Sequence, residues 1–391
     1  MIKREPMPQD DVLNIKFRIY REGKALFYAS DLDELSRTRK AYTKADLFYN
    51  PRMKINRDIS IGVARVEGKE GPFIDLMAAS GVRPLRWILE AEAQEVFAND
   101  INPLAAYMMR KSASLNNVRM RVSCEEACYL ARKLRREGVL FNYVDLDPFG
   151  SPAPFLKESI ALTKTGGVLA VTSTDTSTIF GVNPNKLRRY YGILGAKTPF
   201  FREFGIRALI QSVVSIAASL DLAARPLLAY THMHYVRAYF KVEKGALRAR
   251  GLIDEGAGWI SYCTRCGSFE LTKEVETAAR RSCCGDVKVL GPVWIGSIMD
   301  REYLASCVGK TPSVEGAKLL NELLNEIEAP LYYNIDWMSS KLRISPPKIK
   351  DVIETLRNLG FQASRTHADR KAVKTDADLK TLRRILLKLS R

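Results

Sequence analysis

The sequence predicts an α/β fold: a mainly parallel, doubly wound sheet followed by a smaller α+β unit. Beginning at Pro72, short apolar stretches alternate with helical segments, as they do in successive βαβ units. Acidic residues follow several of these stretches, which is expected where parallel strands end at a ligand-binding edge. The expected strands are residues 73–76, 95–98, 119–122, 141–147 and 168–172, and the expected helices are 85–91, a segment that carries 107–109, and 127–136.

The residues before this sheet show a different pattern. Leu13, Ile15, Phe17 and Ile19 alternate with polar residues, which predicts a half-buried strand over residues 13–20. The charged segment that follows is expected to be helical. Three further elements are expected beyond residue 200, namely a long apolar helix over 207–224 and paired strands over 227–230 and 236–242.

The last third of the chain predicts a second domain. It opens with a cysteine-containing segment over 259–294 and turns helical over 314–328. Ser345-Pro346-Pro347 then separates two helical stretches, which suggests a helix-turn-helix or winged-helix unit. The basic end from residue 365 carries nine Lys and Arg against three Asp, and suits either a phosphate-facing surface or a solvated helix. The predicted domains are residues 1–244 and 245–391.

Composition excludes several classes of protein. The 391 residues are 46% hydrophobic, too many for a chain that is mainly disordered. Seven cysteines at irregular spacings fit a reducing compartment better than a secreted disulfide framework. The first ten residues lack the apolar core of a secretory signal, and no apolar run approaches the length of a membrane span. We therefore expect a cytoplasmic protein with no membrane partner.

The net charge points to a polyanionic partner without proving one. Lys and Arg number 61 against 44 Asp and Glu, which leaves a formal charge of +17. Such an excess attracts nucleic acids. Because basic proteins also carry charges that only solvate them, charge alone leaves both interpretations open.

Two of the expected strands end in a pattern that suits a nucleoside ligand. Asp75 and the small-residue turn Ala79-Ser80-Gly81 follow the first strand, and Asp100 follows the second. A tight turn lets the backbone approach a ligand, and a carboxylate about 20 residues later accepts ribose hydroxyls. The full G-x-G-x-x-G motif is absent from this turn, which favours a nucleoside without phosphates, such as S-adenosylmethionine. Alternatively, both aspartates only cap strand ends.

The run Asp145-Leu146-Asp147-Pro148-Phe149-Gly150 ends the fourth expected strand. Proline fixes its own φ angle and donates no backbone hydrogen bond, so a stiff turn holds Asp147 and Phe149 in register. This pair suits an exocyclic amine on a nucleobase, because the carboxylate accepts an N–H and takes up its proton while the ring stacks on the base. The alternative is an ordinary Asp-Pro turn with a buried phenylalanine.

Four cysteines form a candidate metal site. Cys263-Thr264-Arg265-Cys266-Gly267 is a Cys-x2-Cys-Gly knuckle, whose backbone amides are free to bond the sulfurs, and Cys283-Cys284-Gly285 supplies a second pair. Four thiolates suit zinc and leave no position open for catalysis, so the role would be structural. Arg281 stands where a regular second knuckle has its first cysteine, so either both Cys283 and Cys284 bind the metal or one is spare. The alternatives are buried thiols or a disulfide.

Six runs of residues together resemble one known family. They are Phe48-Tyr49-Asn50-Pro51-Arg52-Met53, Asn56-Arg57-Asp58, Ala79-Ser80-Gly81-Val82-Arg83-Pro84-Leu85-Arg86, Asn99-Asp100-Ile101, Asp145-Leu146-Asp147-Pro148-Phe149-Gly150-Ser151-Pro152 and Gly291-Pro292-Val293-Trp294-Ile295-Gly296. In this order, and over most of the chain, they resemble the archaeal and eukaryotic-type tRNA guanine-26 N2,N2-dimethyltransferase family. The resemblance implies a Rossmann-like class I methyltransferase domain with a smaller α+β C-terminal domain.

The same resemblance implies how S-adenosylmethionine is bound at its adenosine end. Asp100 takes the ribose hydroxyls, Glu126 accepts from the adenine amine, and the backbone of Ala127 meets the adenine ring. The family usually has aspartate where this chain has Glu125-Glu126. Which of the two glutamates contacts adenine therefore stays open.

At the methionine end, the resemblance implies that Arg57 and Arg83 hold the cofactor. Asp147 is implied as the catalytic carboxylate and Phe149 as the clamp on the guanine. The second-rank candidates are Arg52, Asp75, Ser80 and Arg86. Each could instead be a structural salt bridge or a cap, and for Arg86 that interpretation is favoured.

The implied reaction is the transfer of one or two methyl groups to the exocyclic N2 of a guanine, most directly guanine 26 of tRNA. Transfer would be a direct displacement, with the target base turned out of its stack and the basic C-terminal domain on the tRNA phosphates. No obligatory protein partner is implied. Two alternatives stay open: a methyltransferase for another guanine or an adenine amine in RNA, and a tRNA-binding zinc scaffold without catalysis.

Overall fold

The computed structural model describes residues 17–33 and 46–390. It begins with an antiparallel hairpin of two strands, β1 (Phe17–Glu22) and β2 (Ala25–Ser30). The N-terminal strand predicted from alternation is thus confirmed within the described part. Residues 13–16 of that prediction lie outside it.

The hairpin contains a strand that the sequence did not predict, because the chain directly after β1 forms β2, and a charged helix, Lys54–Glu67, follows further along the chain. Gly23 has a positive φ of 56°, which allows the tight turn between the strands. Ala25, Phe27 and Ala29 are fully buried and alternate with less buried residues. The period of two therefore outweighs the charges that suggested a helix.

A seven-stranded sheet forms the centre of the protein. In chain order its strands are β3 (Pro72–Asp75), β4 (Glu95–Asn99), β5 (Arg121–Ser123), β6 (Phe141–Leu146), β7 (Thr163–Ser173), β8 (Leu222–His232) and β9 (Tyr235–Lys244). In space their order is β5-β4-β3-β6-β7-β9-β8. The pairs from β5 to β7 are parallel, whereas β9 is antiparallel to both of its neighbours. The carboxyl ends of β3, β4 and β6 consequently meet at one edge, as predicted for a doubly wound sheet.

Helices connect these strands and cover both faces of the sheet. They are α1 (Lys54–Glu67), α2 (Val82–Ala91), α3 (Pro103–Leu115), α4 (Ala127–Arg136), α5 (Leu156–Leu162), α6 (Thr176–Ile179), α7 (Pro184–Tyr191) and α8 (Phe201–Ala218). The long helix predicted over 207–224 exists as α8 but ends earlier. Asp221 has a φ of 56°, so the chain turns there, and residues 222–224 already belong to β8.

The C-terminal part first builds a three-stranded antiparallel sheet that carries the four cysteines. Its strands follow α9 (Ala246–Gly256) and are β10 (Ala257–Cys263), β11 (Phe269–Thr272) and β12 (Val287–Trp294), with α10 (Val275–Arg280) before β12. Two helices then follow, α11 (Arg301–Lys310) and α12 (Val314–Leu324). Helix α11 packs against α1 of the first part.

The chain ends in a unit with the element order of a winged helix. Two helices are followed by a β-hairpin and a last helix, with a short strand before them that pairs with the hairpin. These elements are β13 (Tyr333–Asn334), α13 (Ile335–Leu342), α14 (Ile349–Asn358), β14 (Ala363–Thr366), β15 (Asp369–Thr375) and α15 (Leu379–Leu389). Ile335, Val352, Leu356, Val373 and Leu386 contribute to a separate apolar core beneath them.

The apolar core of the sheet continues beyond the predicted domain boundary. The sheet itself ends at Lys244, but Leu304, Leu320 and Ala372 belong to the same core as the sheet residues. The division at 244 and 245 therefore stays a prediction. In the part of the chain that the structure describes, no helix combines the length and apolar character needed to span a bilayer.

Candidate active site and cysteine cluster

The turn after β3 is shaped for close approach of a ligand to the backbone. Ala79 and Gly81 both have positive φ angles, of 49° and 75°. A Cβ at Gly81 would lie 2.7 Å from Cγ of Met109, so only glycine fits there. The N–H of Ala79 donates to Oδ2 of Asp100 at 2.8 Å, which holds this turn against the end of β4. The two features from which the sequence predicted a nucleoside site therefore lie together.

Glu126 is the N-cap of α4. Its two carboxylate oxygens accept the N–H groups of Cys128 and Tyr129, at 2.9 and 2.7 Å. Those hydrogen bonds lower the pKa of Glu126, outweighing the effect of its partial burial, which acts in the opposite direction. Ala127, the first residue of α4, takes no part in these two bonds. Glu125, the other glutamate of the Glu125-Glu126 pair, is held through its backbone. Its N–H donates to Oδ1 of Asn99, and its carbonyl accepts from Nδ2 of Asn99.

Arg83 joins three aspartates at the carboxyl ends of β3 and β6. It contacts Asp145 at 2.6 Å, Asp75 at 3.5 Å and also the carboxylate of Asp147. Arg237 approaches Asp145 from β9, with nitrogen–oxygen distances of 2.5 and 3.0 Å. The aspartate predicted to be catalytic is thus held by an arginine predicted to bind the cofactor, within one network of charges.

The protonation of this network follows from burial and charge. Burial would raise the pKa of Asp145, but Arg237 and Arg83 outweigh it, so this pKa is lowered and the carboxylate stays ionised. For Asp75, burial is the largest effect and raises the pKa to about 7, with Arg83 acting against it. Asp147 is the most accessible member, since 16% of its side chain is exposed. It is the carboxylate that can reach a substrate.

Phe149 stands exposed at the mouth of the site. Its side chain is 61% exposed, and it contacts Phe48 edge to face with ring centroids 4.6 Å apart. The loop beneath it is clamped by Thr174, whose hydroxyl accepts the N–H of Gly150 at 2.7 Å and whose own N–H donates to Gly150 O at 2.9 Å. An exposed ring on a fixed loop can stack on a planar base.

Arg57 and Arg86 share a carboxylate below the site. Glu22 accepts from Nε and Nη2 of Arg57 at 2.8 and 2.6 Å, and from Arg86 at 2.7 Å. Arg86 also contacts Asp58 and Glu90, at 2.7 and 2.8 Å, and is almost fully buried. The structural interpretation of Arg86 is therefore confirmed. The Nη1 of Arg57 makes none of the bonds to Glu22.

The remaining second-rank candidates lie near this edge in different surroundings. Ser80 is buried within the 79–81 turn. Arg52 is exposed, and its N–H is capped by the side chain of Asn50 at 3.0 Å. Neither geometry assigns a function.

The four cysteines converge as the sequence predicted. The Sγ atoms of Cys263, Cys266, Cys283 and Cys284 all lie within 4.8 Å of one another. Two of the sulfur pairs are 4.0 Å and 3.5 Å apart. Zn–S bonds of about 2.3 Å in a tetrahedron require sulfurs about 3.8 Å apart, so this arrangement fits Zn²⁺. Both adjacent cysteines of the second pair belong to the group, which we call the cysteine cluster.

Sequence reasoning missed several residues of the site. Arg237 and Asp145 are opposite charges that are each flanked by apolar residues in their strands. This was the available signal, because buried charges are paired. Phe48 lies in a run that resembles the family but received no individual role, and Thr174 lies outside the six runs. Their partners come from distant segments, so spacing alone could not reveal them.

Comparison with known proteins agrees with this geometry. A family model described as N2,N2-dimethylguanosine tRNA methyltransferase matches residues 29–387. The chain belongs to this family. The resemblance stated from the sequence is thereby confirmed.

Similar family members come from several archaea. The tRNA (guanine(26)-N(2))-dimethyltransferase of Methanothermobacter thermautotrophicus is 34% identical over 379 residues, covering 93% of this chain and 97% of its own. The protein of the same name from Thermococcus kodakarensis is 35% identical over 353 residues, covering 85% of this chain and 91% of its own. Trm1 from Pyrococcus horikoshii, solved in complex with S-adenosyl-L-methionine, has a TM-score of 0.84 at 28% identity, covering 94% of this chain and 99% of that one. The predicted fold class is confirmed.

Proposed function

We propose that this family member is an S-adenosylmethionine-dependent methyltransferase that transfers one or two methyl groups to the exocyclic N2 of guanine 26 in tRNA. The observation that carries the proposal is the accessible carboxylate of Asp147 next to the exposed ring of Phe149. Both lie at the same edge of the sheet as the 79–81 turn, in which the N–H of Ala79 donates to Asp100. The names of the relatives and the bound cofactor of the Pyrococcus protein support it.

The chain has suitable residues for both ends of the cofactor. Asp100 keeps unused lone pairs for ribose hydroxyls, although its carboxylate already accepts two backbone N–H groups. At the adenine end, Glu126 and the N–H of Ala127 lie at the start of α4, and we retain them as the contacts. Arg57 and Arg83 are retained for the methionine end. When bound, S-adenosylmethionine supplies a methyl group on a sulfonium, which makes that methyl electrophilic.

The protein residues have to make the guanine amine nucleophilic. Asp147 accepts an N–H of the N2 amine, which exposes the nitrogen lone pair, and takes up that proton as the N–C bond forms and the S–C bond breaks. Arg83 keeps Asp147 in place through a direct ion pair. Phe149 stacks on the base, with Phe48 supporting the ring from its edge. A second transfer uses the remaining N2 hydrogen after Asp147 has released its proton.

The cysteine cluster is proposed as a structural zinc site. Cys263, Cys266, Cys283 and Cys284 would bind Zn²⁺ and tie the end of β10 to the segment before β12. No ligand position would remain open, so we assign the metal no step in the reaction. We propose the basic C-terminal part as the region that binds tRNA phosphates.

The deciding experiment combines activity with product identification. Purified protein is incubated with an unmodified tRNA transcript and labelled S-adenosylmethionine, and the nucleosides are analysed by mass spectrometry. We expect N2-methylguanosine and N2,N2-dimethylguanosine at position 26, and none in a transcript with adenine at that position. Methylation elsewhere would support another guanine or adenine amine as substrate. Neither cofactor binding nor methylation would support a tRNA-binding scaffold instead.

A further inference from the structure

A sizeable cavity in the described part of the chain lies outside the active site. It is a groove of about 750 Å³ between the cysteine cluster and α15, and we call it the basic groove. Four cations line its α15 side: Lys380, Arg383, Arg384 and Lys388. A volume of this size is typical of ligand sites.

The four cations share one face of their helix. Their spacing of three and four residues places them in a row, while Leu382, Ile385 and Leu386 point into the core on the opposite face. With a rise of 1.5 Å per residue, the row from Lys380 to Lys388 is about 12 Å long. A phosphate backbone lying along this row would meet the cations in succession.

In the described residues these cations lack a direct carboxylate partner, although Asp378 attracts Lys380 and Arg384 from a distance. Within residues 17–33 and 46–390, none of the four forms an ion pair or a side-chain hydrogen bond. Asp378 lies nearby, but its carboxylate caps α15 by accepting the N–H of Thr381 at 2.7 Å. Like charges three or four residues apart repel one another on a helix. The row is therefore set up to bind an anion from outside the protein.

We propose that the basic groove holds the sugar-phosphate backbone of the tRNA substrate, with the cysteine cluster as its second wall. This inference rests on the proposed function for the identity of the nucleic acid. Leu379 and Leu387 add apolar surface at the groove, suited to ribose or base edges. If the cluster holds Zn²⁺, the metal and its four thiolates together carry two negative charges. The four cations of α15 outnumber these charges, so the groove as a whole stays positive.

The test compares the salt dependence of tRNA binding between charge-matched variants. R383Q/R384Q removes two cations, and glutamine keeps a high helix propensity. R135Q/R136Q is the control, because these exposed arginines end α4, which leads to the opposite edge of the sheet. Affinity for tRNA is measured between 50 and 200 mM salt.

Each phosphate contact contributes about 0.9 to the slope of log affinity against log salt. Over this fourfold range, the affinity of the wild type should fall about 12-fold more than that of R383Q/R384Q, and the control should follow the wild type. Cofactor binding and zinc content should both be unchanged. A second pair, K380Q/K388Q, should behave like the first.

A salt slope equal to that of the wild type in both groove variants would overturn the proposal. Reduced zinc content with an unchanged slope would overturn it as well, and would show that the cations serve only to balance the thiolates. If the wild type binds tRNA through the groove but methylates no guanine, the basic groove stands and the proposed function fails. The two inferences are thus separable.

Discussion

The substitution Glu326→Gln should destabilise the folded protein strongly at neutral pH and hardly at all in acid. Glu326 is buried between the last helical unit and the sheet domain. Its Oε1 accepts the backbone N–H of His367 at 2.5 Å and lies 2.6 Å from Nδ1 of the same residue, while Oε2 is 3.1 Å from Nζ of Lys374. The variant keeps the shape of the side chain but removes its charge.

The magnitude follows from the pKa of this carboxyl. Burial alone would raise it, but His367 and Lys374 outweigh burial and lower the pKa of Glu326 from 4.5 to about 2. Each pKa unit corresponds to about 1.4 kcal/mol, so the ionised group stabilises the fold by about 3 kcal/mol. Because the pKa is lowered on folding, this stability is fully present above pH 4.5 and is lost as the pH falls towards 2.

The assay is urea unfolding of wild type and variant at pH 7, pH 5 and pH 3. We expect a difference of about 3 kcal/mol in the free energy of unfolding at pH 7 and pH 5, and a clearly smaller one at pH 3. Glu322→Gln, on an exposed helix position nearby in sequence, is the control and should change stability by less than about 0.5 kcal/mol. A difference that does not shrink at pH 3, or one below about 1 kcal/mol at pH 7, would refute the reasoning.

Three further substitutions test the active site and the cysteine cluster. Asp147→Asn should lower kcat by about 10²- to 10⁴-fold, because the amide cannot take up the amine proton, with cofactor affinity unchanged in a calorimetric titration; an active variant would remove Asp147 from its role. Phe149→Leu should lower kcat/KM for tRNA by roughly 5- to 150-fold, the equivalent of one lost base stack, whereas Phe149→Tyr should be close to wild type; equal effects of both would argue against stacking. Cys266→Ser should reduce the zinc content measured by mass spectrometry to near zero, with Cys128→Ser unchanged, and retention of zinc by the first variant would contradict the tetrathiolate site.

The parts of the fold that the sequence predicts well are those governed by local pattern. Helix α4 begins and ends where its residues indicated, at Ala127 and Arg136, because a carboxylate caps its first turn and an apolar stripe marks its length. The second strand of the N-terminal hairpin was missed because charged residues around it suggested a helix. Its register depends on burial of Phe27 against the sheet domain, which local sequence does not contain.

The residues of the site also divide into those that local sequence predicts and those that depend on distant partners. Asp147, Phe149 and the four cysteines could be singled out from short runs whose chemistry is self-contained. The partners that fix Asp147 could not, since Arg83 lies 64 residues away in sequence. Likewise, Arg237 is 92 residues from Asp145. Such pairs become visible only when the sheet order is known.

Helix α8 sets the distance between the catalytic edge and the C-terminal part. Glu203 on this helix accepts the N–H of Leu331 at 2.7 Å and contacts Lys374 at 3.1 Å, and Arg207 donates to the carbonyls of Trp294 and Gly296, each at 3.0 Å. Both side chains are buried, so these bonds are shielded from water and costly to break. If tRNA binds in the basic groove as proposed, these bonds keep it at a fixed distance from Asp147. That distance, rather than contacts with the target base alone, would select which guanine reaches the carboxylate.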